Sequence, residues 1–195
     1  QLVNNYDVYE WYLKLGPLSN VDAKYFKKSL PTWNDFVNHP DYDAFWKRQG
    51  FGQWLNRVTV PTLNVAGWWD QEDFYGPITI YELLERHDKE NKNFLVVGPW
   101  NHGGWSRGDG RKLGPVDFGS ETSTFYRKEV QAKFLAHYLK DKPSPNLPEA
   151  LTFRTGSNTW ERNDAWPPKQ NVTARSLYFQ EKGGLSFEPP KSSSP

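Results

Sequence analysis

Two short polar loops carry the side chains best suited to chemistry. Gly67-Trp68-Trp69-Asp70-Gln71-Glu72-Asp73 follows the β-branched run Val58 to Ala66, and Gly98-Pro99-Trp100-Asn101-His102-Gly103-Gly104 follows the apolar run Phe94 to Val97. Both runs read as strands. In open parallel sheets functional groups collect in the loops at the carboxyl ends of strands, so Asp70 and His102 are expected side by side. A carboxylate beside an imidazole is a proton-transfer pair. The acid fixes the tautomer of the ring and stabilises the imidazolium, and the ring removes and returns a proton.

Such a pair needs a nucleophile to activate. The chain has no Cys, which excludes thiol nucleophiles, disulfide scaffolds and thiolate metal sites. The one G-x-S-x-G match, Gly104-Trp105-Ser106-Arg107-Gly108, lies just after His102 and does not close a predicted strand, so it lacks the strand-turn-helix context of a nucleophile elbow. Gly119-Ser120-Glu121-Thr122-Ser123 reads as a helix start, and Ser106 sits in a glycine loop after His102. The same residues also have plainer uses. Asp70 or Asp73 suits the cap of a helix opened by Pro77, since carboxylates stabilise helix N-termini, and His102 suits an ordinary loop. His39, His87 and His137 carry no evident role. No pair of these histidines has metal-ligand spacing, and neither a metal nor a cofactor is expected.

The elements that must position the pair follow from periodicity. Strand 58 to 66, a helix from Tyr75 to His87 with Pro77 in its first turn, and strand 94 to 97 form a right-handed βαβ unit. Ser120 to Lys140 reads as an amphipathic helix with Phe125, Val130, Phe134, Leu135, Tyr138 and Leu139 on its apolar side. Upstream, Tyr6, Tyr9, Trp11, Tyr12 and Leu15 share one helix face stopped by Gly16-Pro17, and Asp41 to Arg48 reads as a second helix. Downstream, prolines precede Ala150 to Thr155, and Ser176 to Gln180 and Leu185 to Phe187 flank Gly183-Gly184 as a hairpin. The class is α/β, organised as a helical cap segment at 1–57, an α/β part at 58–142 and an opening β domain at 143–195.

Composition removes whole classes of function. With 24 Lys+Arg against 23 Asp+Glu in 195 residues, the chain lacks the basic field that binds nucleic acid. Mean hydropathy is low, at −0.83, yet 10 Trp, 10 Tyr and 12 Phe supply the large rings that disordered chains lack. No apolar run reaches the roughly 18 residues of a membrane span, so no membrane partner is expected. The chain begins Gln1-Leu2 and contains no Met, so a segment of a longer polypeptide is expected, with unpaired strand edges that would otherwise favour association with other copies.

GWWDQEDFYG at 67–76, GPWNHGGW at 98–105 and LGPVDFG at 113–119, ahead of a long helix, resemble the hydrolases grouped with cocaine esterase and the X-Pro dipeptidyl-peptidases. The likeness is greatest to the alpha-amino acid ester hydrolases, including glutaryl-cephalosporanic acid acylases. The resemblance implies the C-terminal part of an α/β-hydrolase fold with a helical cap and the start of a β jelly roll. It implies a serine hydrolase of α-amino acid esters or β-lactam-type amides, secreted or periplasmic, acting on small molecules. Asp70 matches the triad acid, His102 the triad base, and Glu72 and Asp73 two carboxylates that hold the substrate's α-ammonium. The serine and oxyanion-hole residues would lie upstream of Gln1, leaving the isolated chain inactive. An X-Pro dipeptidyl-peptidase or cocaine esterase-like carboxylesterase is the alternative enzyme. A carbohydrate-binding β module is the non-enzymatic one.

Overall fold

The computed structural model describes residues 8–190, and the chain divides into two compact units, Gln1–Gln53 and Trp54–Pro195. The first unit is helical. Helix α1 (Tyr9–Leu15) ends where Gly16, at φ 73°, donates its N–H to the Tyr12 carbonyl. Tyr6, expected on this helix, lies outside the described residues. A π-helical turn (Asp22–Phe26) leads to α2 (Pro31–Asn38), with Pro31 in its first turn, where a missing N–H costs nothing. Helix α3 (Ala44–Gln49) starts three residues later than the periodicity suggests. Asp43 stays extended and its carboxylate accepts the N–H groups of Phe45 and Trp46. Ring pairs Trp11–Tyr25, Phe26–Trp33 and Phe36–Trp46 tie these short helices together.

The second unit is built on a four-stranded mixed sheet. Strand β1 (Thr62–Gly67) runs parallel to β2 (Asn93–Gly98), with Thr62 opposite Asn93 and Gly67 opposite Gly98. Helix α4 (Tyr75–Glu85) makes the crossover between them. A two-residue ribbon, β3 (Lys112–Leu113) and β4 (Val116–Asp117), precedes the long helix. That helix consists of α5 (Thr122–Phe125), a π-helical stretch (Tyr126–Gln131) and α6 (Ala132–Lys140). Its buried face carries Tyr126, Val130 and Phe134, whereas Leu135, Tyr138 and Leu139, expected inside, are 45%, 37% and 75% exposed. The π stretch, with i→i+5 bonding, changes which residues turn inward.

Strand β5 (Ala150–Arg154) pairs in parallel with β2, and β6 (Thr159–Asn163) pairs antiparallel with β5, giving the order β1-β2-β5-β6. Residues 150–163 therefore extend the same sheet, β5 in parallel and β6 antiparallel, where a separate β domain was expected from 143. Thr159-Trp160-Glu161-Arg162-Asn163 has too few β-branched residues to announce a strand. It forms one because it can pair with the edge of Ala150–Arg154, a strand buried through Phe153. Beyond it, β7 (Tyr178–Phe179) and β8 (Leu185–Ser186) make a small separate hairpin.

The core lies on both faces of this sheet. Ala66, Tyr81, Leu95, Val97 and Ala150 form one cluster beneath α4, and Val96, Trp100, Tyr126, Val130 and Leu151 form the other beneath the long helix. Every residue of β2 is buried, as expected of a parallel strand covered on both sides. Among the described residues no helix is long and apolar enough to cross a membrane.

Candidate active site

The in-register ends of β1 and β2 bring the two polar loops together. Backbone bonds stitch them: Trp68 N–H donates to the Gly98 carbonyl at 2.9 Å and Trp69 N–H to the Trp100 carbonyl at 3.0 Å. Glycine is required at the crossing. A β-carbon on Gly67 would lie 2.2 Å from the Trp100 carbonyl oxygen, and one on Gly98 would lie 2.4 Å from the Trp100 indole.

Within this junction the Asp70 carboxylate is nearly inaccessible, with its side chain 2% exposed. His102 Nδ1 lies 3.0 Å from Asp70 Oδ2 and 3.1 Å from Oδ1. For Nδ1 to donate, the ring's hydrogen sits on Nδ1, which leaves Nε2 as the basic nitrogen. Asp70 Oδ1 also accepts the backbone N–H groups of Glu72 at 2.9 Å and Asp73 at 3.0 Å. Burial alone would raise the Asp70 pKa, but the Asp73 and Glu72 N–H groups and His102 together outweigh it and hold the carboxyl below its ordinary value. Asp70 is thus an anion fixed by three donors.

The other two acids diverge. Glu72 is exposed, and its Oε2 lies 3.9 Å from His102 Nε2, on the ring's outward side. Asp73 turns toward α4, where its Oδ1 accepts the Gly76 N–H at 2.9 Å. This is the capping geometry that the sequence left open for Asp70 or Asp73. Asp70, Glu72 and His102 are brought together, and Asp73 adjoins them through its backbone.

Sequence reasoning passed over two arginines. Arg107 Nη2 donates to the His102 carbonyl at 2.5 Å, and Arg127 donates to carbonyls of the loop that follows. Charged residues on a loop and a helix carry no signal of such inward bonding. Two of the other histidines make local side-chain contacts: His39 Nδ1 meets Asp43 at 2.6 Å, and His137 Nδ1 meets the Lys142 carbonyl at 2.7 Å. Among the described residues no three His, Asp or Glu side chains are grouped to hold a metal ion. A cleft of about 490 Å³ opens beside the Asp70 loop, lined by Trp68, Trp69, Phe153, Arg154, Glu161 and Trp166.

Comparison with known proteins gives the family of the chain. Residues 5–104 match the profile of the X-Pro dipeptidyl-peptidase (S15 family). Cocaine esterase of Rhodococcus sp. (strain MB1 Bresler) is 27% identical over 139 residues, covering 67% of this chain and 22% of the esterase. The crystal structure of an aminopeptidase from the marine sediment archaeon Thaumarchaeota archaeon superposes with a TM-score of 0.86 at 41% identity, over 97% of this chain and 31% of that one. An alpha-amino acid ester hydrolase superposes with a TM-score of 0.86 at 34% identity, over 98% of this chain and 32% of that one. The chain thus spans about a fifth of the esterase and about a third of the two solved structures. With half of its length matched by the family profile and nearly all of it superposed on those folds, the chain belongs to the X-Pro dipeptidyl-peptidase (S15) family.

Proposed function

We propose that the polypeptide containing this chain is a serine hydrolase of α-amino acid esters, with related acyl transfer to β-lactam-type amides. In it Asp70 and His102 serve as triad acid and base. The observation that carries the reading is the 3.0 Å contact between buried Asp70 and His102 Nδ1 at the carboxyl ends of adjacent parallel strands. Such a pair takes a proton from a serine hydroxyl onto Nε2 and later delivers it to the leaving group. The serine belongs to a part of the polypeptide outside these 195 residues. Substrate is a small ester or amide, and the proposed chemistry uses no metal or cofactor.

Glu72 and Asp73 are proposed to hold the substrate's α-ammonium. Glu72 stands exposed beside Nε2, where a reacting carbonyl would be delivered, and a carboxylate is the natural partner of an ammonium. The domain roles belong to the same proposal. Residues 1–57 act as a cap segment, residues from 58 form the C-terminal part of the hydrolase sheet, and the chain beyond β6 leads into a jelly roll. Secretion or periplasmic placement rests on the family resemblance alone.

The family match favours a second reading, cleavage after Xaa-Pro. Both are tested on the full-length polypeptide by comparing turnover of α-amino acid esters with that of Xaa-Pro amides, alongside fluorophosphonate labelling. Labelling with a strong preference for esters supports the first reading, and preference for Xaa-Pro amides supports the second. A full-length protein that neither labels nor hydrolyses, and instead binds glycans, would return the chain to the carbohydrate-binding alternative.

A further inference from the structure

His102 immediately precedes a loop that runs from Gly103, at φ 69°, to Gly108, at φ 54°, and whose regular structure is a single 3-10 turn, Gly104–Ser106. Such a backbone has to be held by something if the imidazole is to keep one position. The long helix supplies that hold. Arg127 Nη2 donates to the Gly108 carbonyl at 2.7 Å, and Nη1 donates to the Trp105 carbonyl at 3.1 Å and the Arg107 carbonyl at 3.5 Å. One turn earlier, Ser123 Oγ donates to the Gly104 carbonyl at 3.0 Å. The held segment reaches the imidazole by two routes. The Trp105 ring stands edge-on to the His102 ring, with centroids 6.5 Å apart. Arg107, whose carbonyl Arg127 holds, returns its own guanidinium to the His102 carbonyl at 2.5 Å.

We infer that Arg127 is a positioning residue for the base, acting through the 104–108 loop. This rests on the assignment of His102 as the base in the proposed function. Three features make the guanidinium specific here. Its planar fork offers donors in several fixed directions, which an ammonium cannot match. It is half-buried, and its bond to the Trp105 carbonyl is partly shielded from water. It also lies in the π-helical stretch Tyr126–Gln131, a distortion found often at functional sites. Tyr126 of that stretch is buried against the Trp100 ring, with centroids 5.4 Å apart, so the same irregular turn faces both ends of the loop.

The test uses the full-length polypeptide, comparing Arg127→Ala, Arg127→Lys and His102→Ala for ester turnover, KM, fluorophosphonate labelling rate and melting temperature. Misplacement of a reacting group by about 1 Å costs on the order of 100-fold. Arg127→Ala is therefore expected to lower kcat and the labelling rate about 10–100-fold with KM within about twofold, and Arg127→Lys to fall between Arg127→Ala and the parent. Should Arg127→Ala not fold, Arg127→Lys carries the test by itself: reduced kcat with unchanged KM supports the inference, and unchanged kcat overturns it. A lowered melting temperature with kcat per folded molecule unaltered, while His102→Ala is silent, overturns the inference and leaves the proposed function standing. Full turnover by His102→Ala overturns both.

Discussion

Asp70 and His102 touch although 32 residues separate them, because Gly67 and Gly98, which close their respective strands, stand opposite one another in the sheet. The helix α4 and the turn after it are spent on returning the chain to the same edge one strand over. In the full-length polypeptide, Asp70→Asn is expected to lower kcat on the order of 10⁴-fold, the loss seen when a triad acid can no longer hold the His tautomer. Steady-state kinetics on an activated ester checks this, and a loss below about tenfold would falsify the role of Asp70.

The two neighbouring acids are expected to separate by readout. Asp73 caps α4 through the Gly76 N–H in addition to its proposed share in holding the ammonium, so Asp73→Ala should cost about 0.5–2 kcal/mol of stability in denaturant melts as well as weaken binding of α-ammonium substrates. Glu72 is exposed, so Glu72→Gln should leave the melt unchanged. Its effect should instead fall on substrates carrying an α-ammonium, with KM rising at least several-fold relative to matched esters without the amine. Equal KM changes for the two ester sets would remove Glu72 from substrate binding.

A third expectation concerns pH and stability on the opposite edge of the sheet. Glu149 is buried just before β5, accepts the Tyr81 hydroxyl at 2.8 Å, and has its pKa pushed up to about 7. Burial is the main cause, and the Glu85 and Asp88 carboxylates add to it against the opposing Tyr81 bond. A raised carboxyl pKa means that the folded state holds a proton which the unfolded state releases above its ordinary value of 4.5. Stability from this group is therefore complete below about pH 4.5 and declines as pH rises through about 7. Chemical denaturation at pH 5 and pH 8 should show this decline in the parent and a weaker one in Glu149→Gln.

Gly67→Ala tests the stitching of the two loops. Its β-carbon would collide with the Trp100 backbone, which cannot swing aside as a side-chain tip can. A stability loss of about 1–3 kcal/mol is expected, together with lost ester turnover in whatever fraction still folds. Thermal melts and active-site titration give the two numbers, and an unaltered melt would show that the junction has slack.

The 195-residue chain made alone is expected to hydrolyse no ester at an enzymatic rate, because it holds an acid and a base while Ser106, its one G-x-S-x-G serine, lies in a 3-10 turn after His102 and donates to the Gly103 carbonyl rather than standing on a strand-to-helix turn. Loss of a nucleophile costs about as much as loss of a whole triad, on the order of 10⁶-fold. Turnover by the isolated chain at a normal rate would reveal a nucleophile within it.

Local pattern alone made β1, α4, β2 and the two loops legible. Apolar runs such as Phe94 to Val97 bury themselves wherever they are placed, and Pro77 and the glycines mark ends through backbone constraints that act within a few residues. The order of strand, acid, strand and His put the two polar loops side by side, and the choice of Asp70 over Glu72 and Asp73 came from the family resemblance. Tertiary structure decided what depended on partners distant in sequence. Thr159–Asn163 became a strand because the Ala150–Arg154 edge offered it hydrogen bonds. Leu135 and Leu139 turned outward because the helix loosened at Tyr126–Gln131. Arg127 reached inward because loop carbonyls lay within its span, and Asp73 rather than Asp70 came to cap α4 because His102 and two N–H groups had already engaged the Asp70 carboxylate. Hydrogen-bonding groups choose among partners that only the folded chain brings within about 3 Å, and sequence order carries no measure of that distance.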